Sequence, residues 1–184
     1  SLMTNANGAK VTRQIAALDI PLNRDLFMRT LVREMTNVLC DVVGAEQTAG
    51  FVAVVGQGMG RQIDQNYRHA LQLPSLSREQ VAAVMIDLKR RIQGDFYIVE
   101  QNDDRIILRN RACPFEDKVN GQRALCMMTS NVFGCIAAEN LGYAKVELRQ
   151  TIAEGARECE VAVHLVLDDA TDALEGREYF QTAP

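Results

Sequence analysis

Around Asn23 the apolar positions Leu22, Leu26, Phe27, Leu31, Met35, Val38, Leu39, Val42 and Val43 recur in steps of three and four, with Arg24, Arg29, Arg33, Glu34 and Asp41 mostly between them. This period predicts a helix with one wide buried stripe, opened by an Asn23 cap and closed by Gly44. A second helix is predicted from Glu46 to Leu71, where Val52, Val55, Met59, Ile63, Tyr67 and Leu71 keep the spacing up to Pro74. Ser77-Arg78-Glu79-Gln80 has the form of a capping box and opens a third helix that turns Val81, Val84, Leu88 and Ile92 inward before Gly94. The period then changes. Phe96 to Val99 and Arg105 to Leu108, joined by Asn102-Asp103-Asp104, read as a hairpin. Ala124 to Asn140 returns to a helical period. Ala144 to Ile152 alternates apolar and polar residues, and Cys159 to Leu167 follows Gly155 as a last strand.

The order helices, hairpin, helix, hairpin predicts an α+β domain in which N-terminal helices pack on an antiparallel sheet of about four strands, with one helix between the two hairpins. Residues 1–20 read as a loose arm with at most a short Val11 to Leu18 helix, 21–168 as a single domain and 169–184 as a C-terminal tail. Ser1-Leu2 ahead of Met3 has the look of a remnant before the native start, without the basic-then-apolar pattern of a secretory signal.

Composition narrows the function. With 184 residues, 24% charged and 47% hydrophobic, the chain has the make-up of a folded globular protein rather than a disordered one. Twenty Lys and Arg against twenty-four Asp and Glu give a net charge of −4 with no basic cluster, so no nucleic-acid partner is expected. No apolar run approaches the ~20 residues of a membrane span. Five cysteines, an odd number without an export signal, fit reduced thiols and a cytoplasmic location.

Gly56-Gln57-Gly58-Met59-Gly60-Arg61 superficially suggests a phosphate loop, but a dinucleotide fingerprint needs glycine where Arg61 stands and a Walker loop needs Gly-Lys-Ser/Thr. The glycines are better explained by close approach of a helix to another helix or to a ligand. His69 and His164 match no metal spacing, and the period of two puts His164 and Cys159 on opposite faces of their strand. Cys126 and Cys135, nine residues apart on one helix, are half a turn out of phase, so only one can join a cluster. Cys113 in a loop, Cys126 at a helix start and Cys159 on a strand are therefore the candidate thiols for a soft metal such as zinc, or for a redox relay.

Cys113-Pro114-Phe115, Val119-Asn120-Gly121, the run from Leu125 to Gly134, the run from Ala137 to Val146, Gly155 and Cys159 together resemble the methanogen output domain family. That family is similar in turn to the vinyl-reductase-type, hydrocarbon-binding domains of the haem-nitric-oxide-binding and TRAPP ligand-binding superfamily. The resemblance implies N-terminal helices on an antiparallel sheet, often as a homodimer, and a cytosolic domain that senses a small apolar ligand in a pocket between helices and sheet. Met59, Ile63, Phe115, Met128, Asn131, Val132 and Phe133 are the expected ligand contacts. Haem is not implied. Two alternatives stand beside this: a zinc or redox sensor on Cys113, Cys126 and Cys159, and a small thiol hydrolase similar in layout to thiazoline-carboxylate hydrolases, with Glu139 or His69 as base. An interaction module working through the Asn23 to Val43 stripe is the fourth reading.

Overall fold

The computed structural model describes residues 2–116 and 123–182. Val119, Asn120 and Gly121, which carry part of the family resemblance, lie outside the described residues. Helices α1 (Leu2–Ala16), α2 (Arg24–Val43), α3 (Ala45–Leu71) and α4 (Arg78–Arg91) precede strands β1 (Phe96–Gln101) and β2 (Arg105–Asn110). Helix α5 (Arg123–Leu141), β3 (Tyr143–Gln150), β4 (Cys159–His164), the single turn α6 (Asp169–Asp172) and β5 (Arg177–Phe180) complete the chain. The five strands form one antiparallel sheet in the order β1-β2-β4-β3-β5. The α+β architecture expected from the pattern is thus present, with α5 between two hairpins. No helix among the described residues is long and apolar enough to cross a membrane.

The predicted caps operate. Asn23 Oδ1 accepts from the Leu26 amide at 2.8 Å, and Ser77 and Gln80 form a reciprocal capping box at the start of α4. One face of the sheet is apolar because alternate residues of paired strands align: Ile106 and Val146 both stand opposite Val163, and Leu108 and Leu148 both stand opposite Val161. Val81, Met85 and Leu88 of α4 and Phe133, Ile136 and Ala137 of α5 pack with this face to make the core. Helix α5 is apolar nearly all round because α3 covers its other side. That approach depends on Gly56 and Gly60, where an added Cβ would lie 2.6 Å from Asn131 Cβ and 2.8 Å from Cys135 Cβ.

Three sequence expectations are revised. The stripe on α2 is not buried: Phe27, Leu31, Met35, Val38 and Val42 are exposed, while Thr36 is the buried residue of the helix. Helical period alone cannot tell which side of an amphipathic helix meets the core. Leu2–Ala16 is one continuous helix, longer and earlier than the short Val11 to Leu18 helix expected. The region read as a C-terminal tail contains α6 and β5, and β5 pairs with β3 through Tyr143 opposite Phe180 to Val146 opposite Arg177, which adds a fifth strand.

Candidate functional site

Helices α3, α4 and α5 and the Cys113-Pro114-Phe115 loop enclose an apolar cleft of about 540 Å³. From α3 come Met59, Ile63, Asn66, Tyr67 and Ala70, a run of three- and four-residue steps that keeps them on one face. Leu88, Lys89, Arg91 and Ile92 form the α4 wall, Met128 and Val132 the α5 wall, and Pro114 and Phe115 one end. The volume falls in the ~300–1,000 Å³ range of small-molecule sites, and a mainly apolar lining with few polar groups is their usual chemistry.

The polar wall residues are held in place. Tyr67 Oη donates to Asp87 Oδ2 at 2.6 Å, and Arg91 Nε donates to the same oxygen at 2.7 Å. The Tyr67 hydroxyl, then the Arg91 and Arg90 guanidiniums, hold the Asp87 carboxyl far below the usual carboxylate range. Burial, with the Asp87 carboxylate, pushes the Tyr67 hydroxyl up, so it stays a protonated donor. Lys89 is 4% exposed, and its Nζ lies 5.7 Å from the Phe96 ring centroid and 5.4 Å from that of Phe133. Burial lowers its pKa to about 8.

Five of the seven expected ligand contacts, Met59, Ile63, Phe115, Met128 and Val132, line this cleft. Asn131 and Phe133 do not. Asn131 is buried between α3 and the sheet, where its Oδ1 accepts from the Tyr179 hydroxyl. Phe133 packs edge-on against Phe96 at 5.3 Å in the core. On α5, one residue of shift rotates a side chain by about 100°, which carries both off the cleft wall held by Met128 and Val132. Asn66, Tyr67, Ala70, Leu88, Lys89, Arg91, Ile92 and Pro114 also line it and were not among the expected contacts. Asn66 and Ala70 carry the helical signal that identified Met59 and Ile63, whereas a lysine in a charged helix gives no sign of burial.

Cys113, Cys126 and Cys159 line a second, much smaller cavity of about 30 Å³, together with Phe96, Asn110 and Val161, and Pro114 and Phe115 separate it from the cleft. Cys135 faces away, donating to the Gln57 carbonyl at 3.4 Å, as the half-turn phase difference from Cys126 requires. Burial pushes the Cys126 thiol up to about 12 and raises Cys113 and Cys159 as well, so all three are protonated at neutral pH. Among the described residues no group of three His, Cys, Asp or Glu is arranged to hold a metal ion. His69 is exposed, Glu139 accepts from Thr182 Oγ1 at 2.8 Å, and His164 lies 3.3 Å from Glu147 on the sheet face opposite Cys159.

Comparison with known proteins places this geometry in context. The family profile of Methanogen output domain 1 matches residues 31–164, well over half of the chain. The chain belongs to the methanogen output domain 1 family. None of the curated proteins matches it. Among solved structures, this family member is similar to a trafficking protein particle complex subunit 3 from Naegleria fowleri, described as covalently bound to palmitic acid. The TM-score is 0.62 at 14% identity, covering 78% of this chain and 95% of that one. It is also similar to the phenol-responsive sensory domain of the transcription activator PoxR, solved with phenol, with a TM-score of 0.60 at 12% identity over 84% of this chain and 81% of that one. At these identities the likeness shows a shared fold for this methanogen output domain.

Proposed function

We propose that this methanogen output domain is a sensory module that binds one small, largely apolar molecule in the cleft between α3, α4 and α5. The observation that carries the reading is the cleft itself: about 540 Å³ in a chain of this size, walled by Met59, Ile63, Leu88, Ile92, Met128 and Val132. Structurally similar proteins are described with phenol and with palmitic acid, two apolar bodies that each carry one polar end. Signal output follows if the ligand favours one packing of α3 and α4 on α5 over another, since a ligand shifts an equilibrium only by its differential affinity. The test is a thermal-shift and calorimetric titration with phenols, medium-chain alcohols and medium-chain acids. At a hundredfold excess over Kd, a ligand that binds only the folded state stabilises it by about 2.7 kcal/mol, which raises Tm by roughly 5–10 °C for a chain of this length. Stoichiometric binding of at least one class supports the reading, and no shift or heat from any of them overturns it.

The same molecule works as a homodimer in this reading, and α2 supplies the seam. Met28, Leu31, Met35, Val38 and Val42 follow alternating steps of three and four and are 42–75% exposed, the spacing of a coiled-coil a/d stripe with nothing on it. Phe51, Val54 and Val55 of α3 are exposed as well. Exposed apolar side chains in such number on neighbouring helices mark an interaction surface. A two-fold axis would lay such a stripe against its own copy, which is the simplest way to cover it. Light scattering is expected to give a dimer at micromolar concentration and a monomer for the Leu31→Glu/Val38→Glu double variant, with the circular-dichroism spectrum retained. A monomeric wild type, or a double variant that stays dimeric, contradicts this seam.

A further inference from the structure

We propose that helix α1 is an exchanged arm, which reaches past its own chain and lies across the exposed Phe51, Val54 and Val55 of a second copy. Such an arm rests on the α2 seam proposed for the dimer and covers the apolar surface beside it. Helix α1 makes no extensive contact with any other element of its own chain, and every side chain from Ala9 to Leu22 is exposed. A lone helix of 15 residues that contains Gly8 is marginal in water, because helices of this length persist mainly by burying one face. α1 has a face to bury. Val11, Ile15 and Leu18, the last in the turn just past the helix, follow steps of four and three and are 50–63% exposed.

Charge and geometry both select a second copy as the acceptor. Helix α1 carries Lys10 and Arg13 and no carboxylate, whereas the stretch from Glu34 to Gly60, which holds Phe51, Val54 and Val55, carries Glu34, Asp41 and Glu46 and no Lys or Arg. Helix α2 is itself polarised, with Arg24, Arg29 and Arg33 against Asp25 in its first half and Glu34 and Asp41 in its second. An antiparallel pair of α2 helices sets unlike halves side by side, and a parallel pair sets like halves together. In the antiparallel pair each α1 emerges beside the C-terminal end of the other copy's α2, where α3 begins and Phe51, Val54 and Val55 stand exposed. The same residues of its own chain lie beyond the far end of α2, a helix about 30 Å long at ~1.5 Å per residue. The linker is drawn into turns by the Ala17 amide on the Arg13 carbonyl, Leu18 on Ile15 and Leu22 on Ile20. A fold-back onto its own chain therefore meets the N-terminal half of α2 instead.

The experiment mixes equal amounts of the whole chain in two nitrogen isotopes, each with the photo-crosslinker p-benzoylphenylalanine in place of Ile15. After subunit exchange and irradiation, trypsin separates residues 34–61 from the first half of α2. The expected crosslinks fall on 34–61, about half of them joining unlike isotopes, as a statistical mixture of two-fold dimers requires. In light scattering and dilution, Val11→Ser/Ile15→Ser is expected to raise the dimer dissociation constant at least about tenfold, since two apolar side chains lose their burial. Ala9→Ser, on the opposite face of α1, should stay within about twofold of the wild type. Crosslinks confined to like isotopes or to residues 24–33, or an unchanged dissociation constant in the double variant, overturn the inference and leave the α2 seam standing. A wild-type chain that is monomeric at micromolar concentration removes the seam and the arm together.

Discussion

Asp64→Ala is expected to lower folding stability by about 3–5 kcal/mol, the range found when one partner of a buried ion pair is removed. Asp64 is completely buried in α3, and its carboxylate meets the Arg68 guanidinium at 2.8 Å and accepts from Asn140 Nδ2 at 2.6 Å. Asn140, near the end of α5, uses its own Oδ1 to accept from the Leu76 amide at 2.8 Å, in the turn that leads into α4. One carboxylate therefore ties together the three helices that wall the cleft. Arg68 is partly exposed and also donates to the Pro74 carbonyl at 3.0 Å, so water relieves some of its loss and the effect should fall toward the lower end of the range. Urea unfolding checks it: with an m-value of about 2 kcal/mol/M, the midpoint should fall by roughly 1.5 M or more. Asp64→Asn keeps an acceptor for Asn140 and should lose less. A shift below about 0.3 M for Asp64→Ala would mean that the network contributes little.

Gly134→Ala is the second large effect. Gly134 faces β5, where an added Cβ would stand 2.2 Å from two carbons of the Tyr179 ring. That ring is buried and its hydroxyl is bonded to Asn131, so it cannot swing aside without giving up a buried hydrogen bond. Helix α5 or strand β5 must shift instead. Overpacking of this kind typically costs about 1–3 kcal/mol, despite the ~1 kcal/mol that alanine gains over glycine in a helix. Gly58→Ala is the internal control. It lies in α3 with nothing within 4 Å of the added Cβ, so the same change there should stabilise by about 0.5–1 kcal/mol. Opposite signs at Gly134 and Gly58, measured in parallel by urea unfolding, are the expected result.

Much of the architecture was legible because period and punctuation agreed. The Ser77 to Gln80 box, the Asn102 to Asp104 turn and the alternation along β3 and β4 each pointed one way, and the elements formed there. Strand β5 escaped notice because Arg177–Phe180 is four residues long, too short to show alternation, and belongs to the sheet only through pairing with β3. The α2 stripe shows the limit of periodicity from the other side. Its spacing was read correctly, but whether Leu31 and Val38 face a core or a partner depends on what packs nearby. For the site, Met59 and Ile63 line the cleft because they share one phase of α3, whereas Asn131 and Phe133, on either side of Val132 on α5, face Tyr179 and Phe96 instead. Lys89 carries the reverse lesson. A long aliphatic stem lets a lysine be buried among apolar neighbours, and only the fold reveals it.

The cleft competes with the exposed α2 face for any apolar probe, so binding alone does not say where the probe sits. Photolabelling with a medium-chain alcohol bearing a diazirine, followed by mass-spectrometric mapping of the modified peptides, separates the two most directly. The account predicts one label per chain, on peptides containing Met59, Ile63, Phe115 or Met128, and its loss when Ile63→Trp fills the cleft. Labels concentrated on Leu31, Met35 and Val38 of α2, undiminished by Ile63→Trp, would contradict it.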